Sequence, residues 1–282
     1  MKNKQTKIKI HRRAKIALVL GGGGGLGVAH VGVIKAFEEL GIRVDYVVGT
    51  SAGSLVGSLY ASGLSSEQMT DIASNLKVKD IRNSNNLLKP STAENIENIL
   101  TSIWGKDLVF SELKIPFTAV CTNMKTGEEI DINFGSVARA VAGSCAVPGI
   151  FKPVQYNDMH LVDGGLRNNL PTDVALNMGA NVVVAVELNG SRGFGTPSLN
   201  MFKVLTSSLG IMMSSAVAPK EKLADIVLKP NMQNFKKTKL DKLDDRLALG
   251  YSSVMENKDE ILKILKRRPR RKIIYAQKNK NK

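Results

Sequence analysis

Apolar residues fall along this chain in short unbroken runs, and segments with helical spacing lie between them. Ile16–Leu20 is the first such run; it is too short for a helix and predicts a buried strand. Residues 28–40 then place Val31, Ile34, Phe37 and Leu40 along one helical face, and Gly41 ends the helix. Residues 44–48 predict a second buried strand, and residues 52–61 a helix rich in small side chains. Ser65 and Ser91 can each cap a further helix, the second running toward Trp104. Residues 117–121 and Glu129–Ile132 read as strands around a turn at Lys125, Thr126 and Gly127. A helix over 136–146, stopped by Pro148, precedes a short strand at 160–162. Pro171 suits the first turn of a helix that ends at Gly179. Residues 182–188 and 224–228 are further strands, and 245–266 a closing helix.

Strands alternating with helices imply an α/β fold with a mostly parallel central sheet and helices on both faces. The unbroken apolar runs agree, because a strand buried on both faces loses its in/out alternation. One domain over residues 16–266 is expected, flanked by basic ends at 1–15 and 267–282. Within it, a glycine-rich stretch leads into a methionine-rich segment at 201–217, read either as core helix or as a lid or lipid-contact element.

The charge sits at the two ends. Residues 1–15 carry seven Lys/Arg and residues 263–282 carry ten, with no acid in either. Together these exceed the net charge of +15, so residues 16–262 are close to neutral. Such ends are either solvated tails or attachments to an anionic surface. Aromatic residues do not interleave the charges, so no nucleic-acid partner is expected. No run of about 18 apolar residues occurs, which argues against a membrane-spanning helix. The apolar stretch after the basic start is too short for a signal peptide. Cys121 and Cys145 lack CxxC spacing and read as reduced thiols. The expectation is a cytoplasmic protein with peripheral contact at the inner face of the membrane.

Gly21 to Gly25, with Gly27, joins the first strand to the first helix. Backbone N–H groups gathered at a helix start form a site for negative charge. A nucleoside triphosphate would require a Gly-Lys-Ser/Thr ending, which is missing. Gly22, Gly24 and Gly27 fit a dinucleotide fingerprint, but Asp45 stands at the start of its strand, where the ribose-binding acid should be at the end. The third possibility is an oxyanion hole.

Gly49-Thr50-Ser51-Ala52-Gly53 is a G-x-S-x-G placed between a strand and a helix, the setting of a nucleophile elbow. Serine needs a base, and histidine is poorly supplied: His11 lies in the basic end, His30 inside the first helix, and His160, the one histidine after Ser51, would need an acid between them and a long return. Asp163, followed by Gly164 and Gly165, emerges at a strand end, where doubly wound sheets gather their active groups.

Taken in this order, the three pieces resemble the patatin-like phospholipase family, and the segment from Ser144 to Pro153 is in the family's style as well. The resemblance runs from about residue 16 to 188 and looks like the small bacterial members. It implies a Ser51–Asp163 dyad, an oxyanion hole at Gly22, Gly23 and Gly24, and supporting roles for Gly27, Gly49, Gly53, Gly164 and Gly165. The activity implied is hydrolysis of lipid carboxyl esters, of phospholipase A or lysophospholipase type, with no metal or organic cofactor. A non-lipid esterase or thioesterase, or a catalytically idle member, are the alternatives. One departure stands out: Leu26 occupies the place where the family usually carries Arg or Lys, so a positive charge near the site is lost.

Overall fold

The computed structural model describes residues 14–81, 90–190 and 201–266. Most of each basic end, and the glycine-rich stretch at 191–200, lie outside the described residues.

Eight strands form one sheet: β1 (Ile16–Leu20), β2 (Tyr46–Thr50), β3 (Phe117–Asn123), β4 (Glu129–Ile132), β5 (Val154–Tyr156), β6 (Met159–Asp163), β7 (Val182–Val186) and β8 (Ile226–Leu228). Strands β3, β2, β1, β7 and β8 run parallel in that order. Strands β4, β6 and β5 pair antiparallel. Alternate residues of β1 enter different cores. Ile16, Leu18 and Leu20 face one apolar cluster. Ala17 and Val19 face another. This two-sided burial is why the strand reads as a continuous apolar run.

The helices are α1 (Val28–Glu39), α2 (Ala52–Ser62), α3 (Ser66–Asn75), α4 (Val78–Ile81), α5 (Glu94–Trp104), α6 (Val137–Ser144), α7 (Thr172–Asn177), α8 (Met201–Ser215), α9 (Val217–Glu221), α10 (Leu243–Met255) and α11 (Lys258–Lys266). Helices α1, α2, α3, α5, α6, α10 and α11 pack on the first face. Helix α7 and the start of α9 pack on the second. Helix α10 lies along α1 and so brings the C-terminal part of the chain to the glycine run.

Several boundaries differ from the sequence pattern. Ser65 caps α3 in a reciprocal box with Gln68, as its position suggests. Ser91 does not cap α5, whose first flanking residue is Ala93; it pairs instead with Phe151 in an isolated bridge. Pro171 flanks α7 rather than entering its first turn. The closing helix is two, broken near Asn257. Val204, Ile211 and Met212 of α8 are exposed, Met212 at 62%, and none of the helix's described side chains is fully buried.

The register around β3 positions the site. Val120 pairs with both Thr50 of β2 and Asp131 of β4, so β2 and β4 lie on opposite edges of β3. Cys121 pairs with both Ile130 of β4 and Asp163 of β6, so β4 and β6 are also opposed. Strands β2 and β6 therefore share one edge of β3 and meet end to end. The last residue of β2 precedes Ser51, and the last residue of β6 is Asp163.

Candidate active site

Ser51 sits in the turn between β2 and α2 with φ of 53° and ψ of −124°, a conformation that L side chains rarely adopt. The turn is tight enough that a Cβ at Gly53 would stand 2.0 Å from the Leu20 carbonyl oxygen, and one at Gly49 would stand 2.4 Å from that of Gly53. Only glycine fits at these places. The Ser51 N–H donates to Ser144 Oγ at 2.9 Å, and the Ser144 hydroxyl donates to the Val120 carbonyl at 2.6 Å.

Asp163 ends β6 and is 1% exposed. Its N–H donates to the Ala146 carbonyl at 3.0 Å. The short segment from Ser144 to Ala146 therefore grips both chains of the pair, Ser51 by a side chain and Asp163 by a carbonyl. The carboxylate accepts the Gly165 N–H on Oδ1 at 2.8 Å. Oδ2 is buried and closes no hydrogen bond of ordinary geometry. Burial pushes the Asp163 pKa up to about 6, and the nearby Ser51 hydroxyl, the Gly165 amide and the charge of Lys237 hold it from rising further. The hydroxyl is thus within electrostatic reach of the carboxylate without a closed bond. Such pairs often tighten only when substrate binds.

The glycine run crosses next to Ser51: a Cβ at Gly22 would stand 3.3 Å from that of Ser51. The amide of Gly22 is not available, because it donates to the Asn169 carbonyl at 3.1 Å. Those of Gly21 and Gly25 are also engaged, with Val186 and Lys237. Among the described residues, the amides of Gly23 and Gly24 have no acceptor. Gly27 lies against Ala52, and Gly164 against the Val120 carbonyl.

The rival readings lose their footing in the geometry. Asp45 accepts the Ile16 N–H at 2.9 Å and so stands at the opposite end of β1 from the glycines. His30 is buried, donates through Nε2 to the Gly21 carbonyl at 2.8 Å, and is driven down to a pKa of about 4 by burial. It braces the glycine run as a neutral ring. His160 is exposed on β6, and His11 lies outside the described residues. Cys121 and Cys145 are buried and free, with burial pushing the Cys145 thiol up to about 12. No three metal-ligating side chains cluster among the described residues.

From Ser51 and Ala52 a cavity of about 250 Å³ runs between α2, α3 and α5, walled by Leu55, Leu59, Met69, Ile72, Ile96 and Ile103. Residues 237–240 line its other side. None of the described side chains of α8 lines the cavity. Sequence reasoning passed over Asn169, Lys237 and Arg246. Each bonds a glycine of the run from far along the chain, Asn169 at Gly22, Lys237 and Arg246 at Gly25, so no local pattern marks these contacts.

The sequence model of the patatin-like phospholipase family matches residues 18–176, more than half of the chain. This chain belongs to that family. An uncharacterized NTE family protein of Mycobacterium tuberculosis is 34% identical over 184 residues, which is 63% of this chain and 50% of that protein. The patatin-like phospholipase domain-containing protein 7 of Rattus norvegicus is 37% identical over 190 residues, 63% of this chain and 14% of that protein. The chain therefore spans at most about half the length of these relatives. In structure it resembles VipD from Legionella pneumophila, with a TM-score of 0.62 at 15% identity over 88% of this chain and 67% of that one. Human GIVD cytosolic phospholipase A2 shares the fold, with a TM-score of 0.50 at 11% identity over 89% of this chain and 60% of that one.

Proposed function

We propose that this patatin-like chain is a serine acyl hydrolase of lipid carboxyl esters, acting through Ser51 and Asp163. The observation that carries the reading is the end-to-end meeting of β2 and β6 on β3, which sets a strained serine beside a buried carboxylate with an unpartnered oxygen. In this mechanism Asp163 Oδ2 takes the Ser51 proton as Oγ attacks the ester carbonyl carbon. The oxyanion forms against the amides of Gly23 and Gly24, a contribution of about 100- to 1000-fold per donor in comparable sites. The alcohol or lysolipid departs with the proton, and water releases the acid with Asp163 again as base. A base with a pKa near 6 is charged at neutral pH and still basic enough to accept a proton.

The apolar cavity favours a lipid acyl chain over a small polar ester. Contact with an anionic lipid surface is part of the same reading. It is supported by the basic ends and by the exposed Val204, Ile211 and Met212 on α8, a helix that reaches Gly165 through Met213. Ser51→Ala and Asp163→Asn should each abolish turnover of a short-chain nitrophenyl ester, and a fluorophosphonate probe should label the parent at Ser51. Full activity in either folded variant refutes the dyad.

A further inference from the structure

The family match ends at residue 176, yet residues 235–246 lie against the glycine run. The Gly25 N–H donates to the Lys237 carbonyl at 2.7 Å, and a Cβ at Gly25 would stand 2.2 Å from the Lys239 carbonyl oxygen. Residues 235–240 thus form a strap fitted to the loop. Lys237, exposed at the cavity mouth, lines the same cavity as Ser51.

One buried cation ties this arrangement together. Arg246 of α10 is 0% exposed. Its guanidinium donates to the Gly25 carbonyl, the Asp241 carbonyl and Asp241 Oδ1, each at 2.8 Å, and to the Lys236 carbonyl at 3.5 Å. It also covers the Phe235 ring at 5.0 Å. The start of the strap, the Asp241 that follows it and the glycine loop therefore converge on a single side chain. Buried carbonyls must find donors, and the fixed fork of arginine can serve several at once. Leu26 meanwhile is buried in the core and carries no charge.

We propose that the strap is a working part of the active site, in which Lys237 supplies the positive charge the glycine loop lacks at Leu26. Arg246 is the positioning residue that holds strap and loop in register. The inference rests on the Ser51–Asp163 reading. A cation at the cavity mouth stabilises the developing oxyanion and the charged form of Asp163. The other titratable groups facing Asp163 are Cys121 of β3 and Cys145 after α6, both held protonated by burial, so neither changes charge in the working range.

The test is the pH profile of kcat/KM on a short-chain nitrophenyl ester, measured with the full chain. Lys237→Gln should lower kcat and move the acid limb to higher pH, and Lys237→Arg should restore both. Arg246→Met should lower kcat on the order of 100-fold through a misplaced loop, with KM little changed. Asp241→Ala, at the exposed end of the latch, should lower kcat in the same direction and carries the test if Arg246→Met does not fold. A Lys237→Gln variant with the parent's kcat and acid limb overturns the role of Lys237. Full kcat in a folded Arg246→Met, or in Asp241→Ala where Arg246→Met does not fold, overturns the latch. Fluorophosphonate labelling separates the two levels. If the parent is not labelled at Ser51, the dyad fails. If it is labelled while the Lys237 and latch variants behave as the parent, the strap inference alone fails.

Discussion

Asp163 is enclosed by β3, the segment after α6 and its own glycine turn, and water cannot solvate its charge. Burial raises its pKa from the ordinary value of ~3.9 to about 6, so between these values the folded chain holds a proton that the unfolded chain has released. The group's contribution to stability is complete below about pH 4 and is lost as pH rises through about 6. Roughly two pKa units correspond to ~3 kcal/mol. Asp163→Asn should therefore be more stable than the parent at pH 7 by about 2–3 kcal/mol in urea denaturation, with the gain vanishing near pH 4. In the proposed mechanism the same titration acts on catalysis with the opposite sense: kcat/KM should rise with pH through about 6 as Asp163 loses its proton. An acid limb near pH 4 would mean that a different, solvated carboxylate is at work.

Helix α6 ends at Ser144, whose hydroxyl accepts from the Ser51 amide and donates to β3. Ser144→Ala leaves a buried N–H and a buried carbonyl without that partner, at a cost of about 1–3 kcal/mol. Stability should fall by that amount in denaturant titration, and kcat should fall with it because the elbow loses its anchor. Helix α2 walls the cavity with Leu59, so Leu59→Trp should leave short acyl esters nearly untouched. Long-chain esters should slow about tenfold or more, in line with the ~1–3 kcal/mol of overfilling a fitted space. These elements were visible in the chain because β1, β2, β3 and β7 are runs buried on both faces, and because Ser65, Gly41 and the G-x-S-x-G turn act locally. Strand β5 has three residues and no periodicity to read. The Gly22 amide reads as available from the sequence, and the Asn169 carbonyl that engages it lies far along the chain. Arg246 is hidden from sequence for the same reason: its acceptor on Gly25 is 221 positions away, and its nearby partner Asp241 reads as an ordinary surface acid.

At the scale of the whole molecule, charge and apolar surface are separated. Residues 16–262 are together close to neutral, while seventeen Lys/Arg fall in residues 1–15 and 263–282 without an acid among them. Among the described residues no helix is long and apolar enough to cross a membrane. A basic segment gains about 1 kcal/mol per Lys/Arg near an anionic leaflet, and that gain decays within a Debye length of ~10 Å at 0.1 M salt. Exposed apolar side chains on α8 add a term that salt does not screen. The two contributions separate in a pelleting assay. Vesicles with anionic lipid should carry the full chain down at low salt and release most of it as salt rises, while neutral vesicles should carry little at any salt. Removing residues 1–15 and 267–282 should remove the salt-dependent part alone, and Ile211→Asp with Met212→Asp should weaken what remains at high salt. Binding indifferent to salt and to loss of both ends would mean that the basic ends do not bring this chain to lipid, and the Ile211 and Met212 variants then decide whether the exposed apolar side chains of α8 do.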